Sequence, residues 1–238
     1  MTKTILVSGS SRGIGLGILS HLKQRGYTVI GNSRNSIPRD FKLGENFFNF
    51  DCSNLNDTRK GLLSILDKGR QLTSIVANVG DGSFNSASIQ ESWDIHLRNN
   101  LLSQVFLIEL GLEIFPNTLK EIIVISSIAG LRVIPEAPIQ YSASKAALEH
   151  YVRAKSVTLA PLGITINCVA PGNILFPGST WDKKLLKDHD STMTYIDSKV
   201  PMKKFGSTFD VASLVEFLLN YSNFITGQTF VVDGGQSV

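Results

Sequence analysis

TILVSGSSRGIG, Thr4 to Gly15, decides the fold. A short run rich in β-branched residues ends in a loop with glycines at Gly9, Gly13 and Gly15, and an amphipathic segment from Ile14 to Arg25 follows. Strand, glycine loop and helix in that order form a nucleotide-binding turn. Glycine permits the tight bend and the close approach of a pyrophosphate, whose charge then meets unpaired N–H groups at the helix N-terminus. The spacing is GxxxGxG, distinct from the GxGxxG of the best-known dinucleotide fingerprint.

Outward from this turn the same rhythm repeats. YTVIG, SIVANV, EIIVIS, ITINCVA and TFVVDGG read as strands, and Asn56 to Leu66, Ile95 to Phe115, Ser142 to Leu159 and Val211 to Leu219 read as helices; a further strand precedes FDCSN. Strands nearly continuous in Val and Ile, separated by helices, belong to a parallel sheet buried on both faces. The expected fold is α/β: one doubly wound Rossmann domain over residues 1–238, with a mostly parallel seven-stranded sheet between helical layers. Gly26, Pro116 and the pair Pro161 and Gly163 mark helix ends. Residues 173–206 break the rhythm with Pro177, Gly178 and Pro201 around WDKKLLKDHD, too long for a plain connector, and read as a helical substrate lid.

The composition narrows the function. With 238 residues, 42% hydrophobic and 18% charged, the chain can bury a sizeable core. A formal charge of +3 is mild and spread out, which argues against a nucleic-acid surface and suits an anionic small molecule. MTKTILVSGSS passes straight into a strand without the apolar stretch of a signal peptide, and no apolar run is long enough for a membrane span. Cys52 and Cys168 stand apart beside strand sequence, as buried thiols would, and the four histidines show no ligand spacing, so no metal is expected. A cytoplasmic enzyme without a membrane partner is the expectation.

At the end of the second strand, VIGNSRNS (Val29 to Ser36) lacks the carboxylate that reads the ribose of NAD; Ser33 and Arg34 stand there, and Arg12 lies in the loop. A 2′-phosphate needs positive, fork-shaped donors, so these residues favour NADP(H). Farther along, YSASK sets Tyr141 and Lys145 four apart, one above the other on a helix, among small residues that leave room for a ligand. An ammonium ~4 Å from the phenol favours the phenolate by up to ~4 kcal/mol at an effective dielectric of ~20, bringing the tyrosine toward a working pH.

SGSSRGIG, ANVG (Ala77 to Gly80), ISSIAG (Ile125 to Gly130), YSASK, NCVAPG (Asn167 to Gly172), ITGQ (Ile225 to Gln228) and VDGG (Val232 to Gly235), in register along nearly the whole chain, resemble the short-chain dehydrogenase/reductase family. The resemblance implies that Tyr141 exchanges a proton with the substrate oxygen, that Lys145 lowers its pKa and holds the nicotinamide ribose, and that Ser127 hydrogen-bonds the reacting carbonyl while Ser126 is structural. An asparagine on the central helix supports a water relay; Asn100 is the candidate, with Asn99 adjacent. It further implies cofactor contacts from Gly9, Ser11, Arg12, Gly13, Ile14, Gly15, Ser33, Arg34, Asp51 at the adenine, Cys52, Asn78, Val79 and Gly80, and from Pro171, Gly172 and Ile174 beside the nicotinamide. A homo-oligomer, dimer or tetramer, is implied as well.

Two departures stand out against the family pattern: ANVG replaces the common NNAG, with Val79 crowding the cleft, and Phe176 stands where a threonine often bonds the nicotinamide amide, leaving Ser179 or Thr180 as substitutes. The expected substrate is a small-molecule carbonyl or secondary alcohol. The pattern is closest to 3-oxoacyl-acyl carrier protein reductases, with sugar, polyketide or steroid ketones, or a non-catalytic NADP-binding sensor, as alternatives. Trp181 and Phe176 are the candidates for lining a substrate pocket, and the lid lysines read as a solvated face.

Overall fold

The computed structural model describes residues 3–34, 44–83, 88–221 and 223–238. Asn35 and Ser36, the end of the VIGNSRNS stretch, lie outside the described residues. The chain opens with β1 (Thr4–Val7) and α1 (Gly13–Gln24), then β2 (Thr28–Ser33), β3 (Phe47–Asn49), α2 (Leu55–Asp67) and β4 (Ser74–Ala77). Next come α3 (Ile89–Leu97), a π-helical turn (Arg98–Leu102), α4 (Ser103–Ile114), β5 (Glu121–Ile125), α5 (Ile128–Leu131) and α6 (Ile139–Leu159). β6 (Thr165–Pro171), β7 (Ile174–Leu175), α7 (Thr180–Lys187), α8 (His189–Lys199), β8 (Gly206–Ser207), α9 (Thr208–Tyr221) and β9 (Thr229–Val232) complete it.

Seven strands form one sheet in the order β3-β2-β1-β4-β5-β6-β9, every pair parallel. The chain runs outward through β1, β2 and β3, then returns to place β4 on the other side of β1. The strand order reverses there, and a crevice opens at the carboxyl ends of β1 and β4, the general ligand site of such sheets.

Side-chain alternation splits the core into two layers. Leu6, Ile75, Ala77, Ile122 and Val124 join the cluster with Leu62 of α2, Leu107 of α4 and Leu148 and Val152 of α6. Their neighbours Ile5, Val7, Val76, Ile123 and Ile125 face the opposite way, against Ile18 of α1 and Val215 of α9. Period-two alternation with both sets apolar explains why these strands read as unbroken hydrophobic runs. Leu148 and Val152 thus belong to the core.

Three helical boundaries differ from the sequence reading. The central helix begins at Ile89, ahead of Ile95, because Ser88 and Glu91 form a capping box at its start. It is interrupted at Arg98–Leu102 by the π-helical turn. WDKKLLKDHD is two helices, since Asp188 ends α7 and its carboxylate accepts from Ser191 N to start α8. Both ends of the 173–206 excursion are tied together where β7 pairs with β8, Ile174 opposite Gly206.

Candidate active site

A cleft of about 640 Å³ runs across the carboxyl ends of β1, β4 and β5. Its walls include Gly9, Ser11, Arg12, Gly13, Ile14, Gly15, Ser33, Arg34, Asp51, Cys52, Asn78, Val79, Gly80, Tyr141 and Lys145. Fifteen positions singled out in the sequence are therefore brought to one cavity.

The glycine loop is held open by its own geometry. Gly9 and Gly13 have φ of 61° and 59°, a conformation unfavourable for residues with a Cβ. Asn78 fastens the loop to β4: its N–H donates to Ser8 Oγ at 2.9 Å and its Nδ2 to the carbonyl oxygens of Ser8 (3.1 Å) and Gly9 (3.3 Å). α1 starts without a side-chain cap, so its first amides remain available to an anion. An uncapped helix start, positive-φ glycines and two arginines on the wall fit a dinucleotide.

At the end of the cleft beside β2 and β3, Asp51 Oδ1 accepts from Ser53 N (2.9 Å) and Ser53 Oγ (2.8 Å), which fixes its direction. Asn32, unremarked in the sequence, braces this corner: fully buried, it donates to the carbonyl oxygens of Phe48 and Phe50 and accepts from Cys52 Sγ. Burial raises the Cys52 thiol pKa, with Asp51 and Asp57 adding to the effect, so Cys52 is an inert neighbour.

The other end holds Tyr141 and Lys145. Tyr141 and Lys145 lie on α6, with Lys145 Nζ 5.8 Å from the Tyr141 ring centroid. Lys145 is 3% exposed, and its ammonium donates to Ile125 O at 2.9 Å. Ser127 caps α5, accepting from Ala129 N at 3.2 Å, and its hydroxyl lowers the Tyr141 pKa. Asn100 is fully buried in the π-helical turn; its Oδ1 accepts from Asp81 N at 2.7 Å and its Nδ2 donates to Asp81 O at 3.0 Å. A Cβ on Gly80 would lie 3.1 Å from Asn100 Oδ1 and 3.2 Å from Lys145 Nζ, so glycine leaves the space between them open. Asn99, the alternative, lies on the cleft wall.

The electrostatics correct the sequence reading of Tyr141. Burial is the largest influence and raises its pKa; Ser127 pulls it down and the Asp81 carboxylate pushes it up. Lys145 is itself lowered to about 8 by burial, against raising contributions from Cys168 and Glu149. Desolvation, invisible in a sequence, outweighs the expected acidifying effect of the lysine here.

Five expected site residues are not on the cleft wall: Asn100, Ser127, Pro171, Gly172 and Ile174. The first two stand behind it in contact with wall residues. Ile174 is 4% exposed in the core and Gly172 packs on Asp233, so β6 and β7 turn these positions away. Phe176, Gly178, Ser179, Thr180 and Lys183 form that wall instead. A Cβ on Gly13 would lie 2.8 Å from the Phe176 ring, which shows how closely the ring covers the glycine loop. Ser179 caps α7, accepting from Asp182 N at 3.0 Å. Trp181 is not on the wall but packs on Tyr195 and Phe205 at 5.3 and 5.5 Å, with Lys184 over its face.

The sequence reading also missed Gln104, fully buried, whose Nε2 bridges the carbonyl oxygens of Val79 (2.9 Å) and Ile125 (3.1 Å), and Asp81, whose carboxylate acts on Tyr141. Asp81 follows ANVG directly, so an acid next to that motif was the available signal.

A family model described as enoyl-(acyl carrier protein) reductase matches residues 9–237. The chain is 32% identical over 252 residues to a 3-oxoacyl-[acyl-carrier-protein] reductase of Aggregatibacter actinomycetemcomitans, covering 99% of each. Among solved structures it resembles the 3-oxoacyl-[acyl-carrier protein] reductase of Brucella melitensis in complex with NAD, with a TM-score of 0.86, 27% identity and coverage of 100% of this chain and 98% of that one. It also resembles the ligand-free aldohexose dehydrogenase of Thermoplasma acidophilum, with a TM-score of 0.88, 25% identity and coverage of 99% and 94%.

Proposed function

The chain belongs to the short-chain dehydrogenase/reductase family of oxidoreductases, and from that premise we propose that it is an NADP(H)-dependent reductase of a carbonyl carbon, with a 3-oxoacyl thioester as substrate. The supporting observation is the single cleft that carries a dinucleotide-type glycine loop at one end and Tyr141 and Lys145 at the other, with Ser127 behind its wall acting on Tyr141.

Gly9 to Gly15 and the first amides of α1 hold the pyrophosphate, Asp51 meets the adenine, and Arg12 and Arg34 take the 2′-phosphate. The Brucella relative holds NAD, so the preference for NADP(H) rests on those two arginines. The bound nicotinamide supplies the hydride. Ser127 donates to the substrate oxygen and orients it; Tyr141 delivers the proton to that oxygen. Its raised pKa keeps it protonated and ready to donate. Lys145 holds the ribose, while Asn100, anchored to Asp81, supports reprotonation through water.

The 173–206 segment serves as a substrate lid, with Lys183 at the cleft and the Trp181, Tyr195 and Phe205 cluster stiffening it. The working form is a cytoplasmic homo-oligomer of single-domain subunits; among the described residues no helix is long and apolar enough to cross a membrane. Steady-state oxidation of NADPH with acetoacetyl-CoA tests the proposal: turnover faster than with NADH supports it, and no turnover with any carbonyl refutes it. A second reading, reduction of a sugar carbonyl, is favoured by the Asp81 carboxylate on the cleft wall, an acceptor for hydroxyl groups. Faster turnover of aldohexoses or ketoses than of acetoacetyl-CoA selects it.

A further inference from the structure

Tyr141, Lys145, Glu149 and Arg153 recur every four residues along α6, and so form one stripe along the helix. Three successive residues at the end of β5 meet it. Ile125 O accepts from Lys145 Nζ at 2.9 Å, Ser126 Oγ donates to Glu149 Oε1 at 2.7 Å, and Ser127 bears on Tyr141. Glu149 is 1% exposed, an unusual depth for a carboxylate. The backbone of α5 closes over it: a Cβ on Gly130 would lie 2.9 Å from Glu149 Oε1 and 2.8 Å from the carbonyl carbon of Lys145. Ser126 N also donates to Val169 O at 2.8 Å, so this serine is clamped between β6 and α6.

We propose that Glu149 is a positioning residue for the reaction: through Ser126 it fixes the strand end that carries Ser127, and through its charge one helical turn away it keeps Lys145 an ammonium. The inference rests on the reductase reading of the same cleft. A stripe with Tyr and Lys at the cleft and an acid behind them gives the buried ammonium a counter-charge that does not compete with the ligand for its protons. The groups that face Lys145 are consistent with this. Cys168 on β6 is fully buried with its thiol pushed up to about 12, and it raises the Lys145 pKa alongside Glu149. Burial raises the Glu149 pKa, while the Ser126 hydrogen bond, Arg153 and Lys145 pull it down and favour the carboxylate. Asp81, in the loop after β4, acts on Tyr141, and His96 contacts Asn100 behind it.

The test is the pH dependence of NADPH and NADH dissociation constants, read by fluorescence from pH 6 to 10, in the unaltered chain and in Glu149→Gln. Glutamine keeps the shape and removes the charge. The expected result is that weakening at alkaline pH begins about one pH unit lower in Glu149→Gln, and that the same substitution has no effect on the profile in a Lys145→Met background. Ser126→Ala keeps the charge, so the profile stays in place while hydrogen exchange at the amides of Ile125 to Ser127 quickens. If Glu149→Gln does not fold, Glu149→Asp replaces it; aspartate retains the charge and should retain the profile while losing the Ser126 contact. A wild-type profile in folded Glu149→Gln, or unchanged exchange in Ser126→Ala, overturns the inference and leaves the reductase reading standing. Full turnover in Tyr141→Phe, or no binding of either nucleotide to the unaltered chain, removes that reading and the inference with it.

Discussion

Lys145 Nζ donates to the main-chain oxygen of Ile125 at 2.9 Å, at the strand end immediately before the two serines of the site. The amine is therefore positioned by β5 as well as by its own helix. Its side chain is buried, and burial brings its pKa down to about 8.

That value sets a pH dependence. A lysine with a lowered folded pKa is an ammonium well below pH 8 and loses its proton as the pH rises through about 8. A dinucleotide whose ribose accepts from the ammonium should bind with constant affinity at lower pH and progressively weaker affinity above. Lys145→Met should bind weakly throughout and lack the transition. For stability the sign is opposite: from about 8 to the ordinary 10.5 the unfolded chain binds more protons at this group, so its contribution favours the native state increasingly as pH rises. Isothermal titration with NADPH across that range checks the affinity.

Arg34→Ala should weaken NADPH about tenfold to a hundredfold and leave NADH nearly unchanged, because charge-assisted contacts to a phosphate are worth roughly 1.5–3 kcal/mol. Arg12→Ala should weaken both, since it also stands at the pyrophosphate loop. Equal losses for the two nucleotides in Arg34→Ala would remove the argument for NADP(H).

Ser127→Ala should lower kcat by about 10²–10³ with little change in nucleotide affinity, as expected for a donor directed at developing charge on oxygen. The variant should also raise the Tyr141 pKa further, because the Ser127 interaction lowers it. Ultraviolet titration of the phenol reads that shift.

Gly61→Ala tests the packing of α2 behind the Asp51 corner of the cleft. A Cβ there would lie 2.2 Å from the Phe50 ring, so α2 must move away from the strand end. A cost of about 1–3 kcal/mol should lower Tm by about 2–12 °C in a chain of this size. An unchanged Tm would show that α2 yields freely.

The fold was legible because strand, glycine loop and helix follow each other without interruption from Thr4 to Gln24, and because the apolar strands repeat that order. The proximity of Tyr141 to Lys145 was legible for a similar reason, since the two share a helix face. What was hidden lies in contacts across the chain. Asp81 with Asn100, Gln104 with Val79 and Ile125, and Glu149 with Ser126 join residues 19 to 25 positions apart or bridge two elements, and no periodicity announces them. Burial was hidden too, which is why the expected effect of Lys145 on Tyr141 was too large. Ile174 was expected beside the nicotinamide, but β7 turns it into the core, whereas Phe176, two residues on, covers the glycine loop.

The central claim, that Tyr141 passes the proton within a dinucleotide cleft, is tested most directly by acetoacetyl-CoA-dependent oxidation of NADPH in Tyr141→Phe, with nucleotide affinity measured on the same preparation. The account predicts kcat lower by about 10²–10⁴ at an unchanged NADPH dissociation constant. A Tyr141→Phe variant that turns over at the unaltered rate would contradict it.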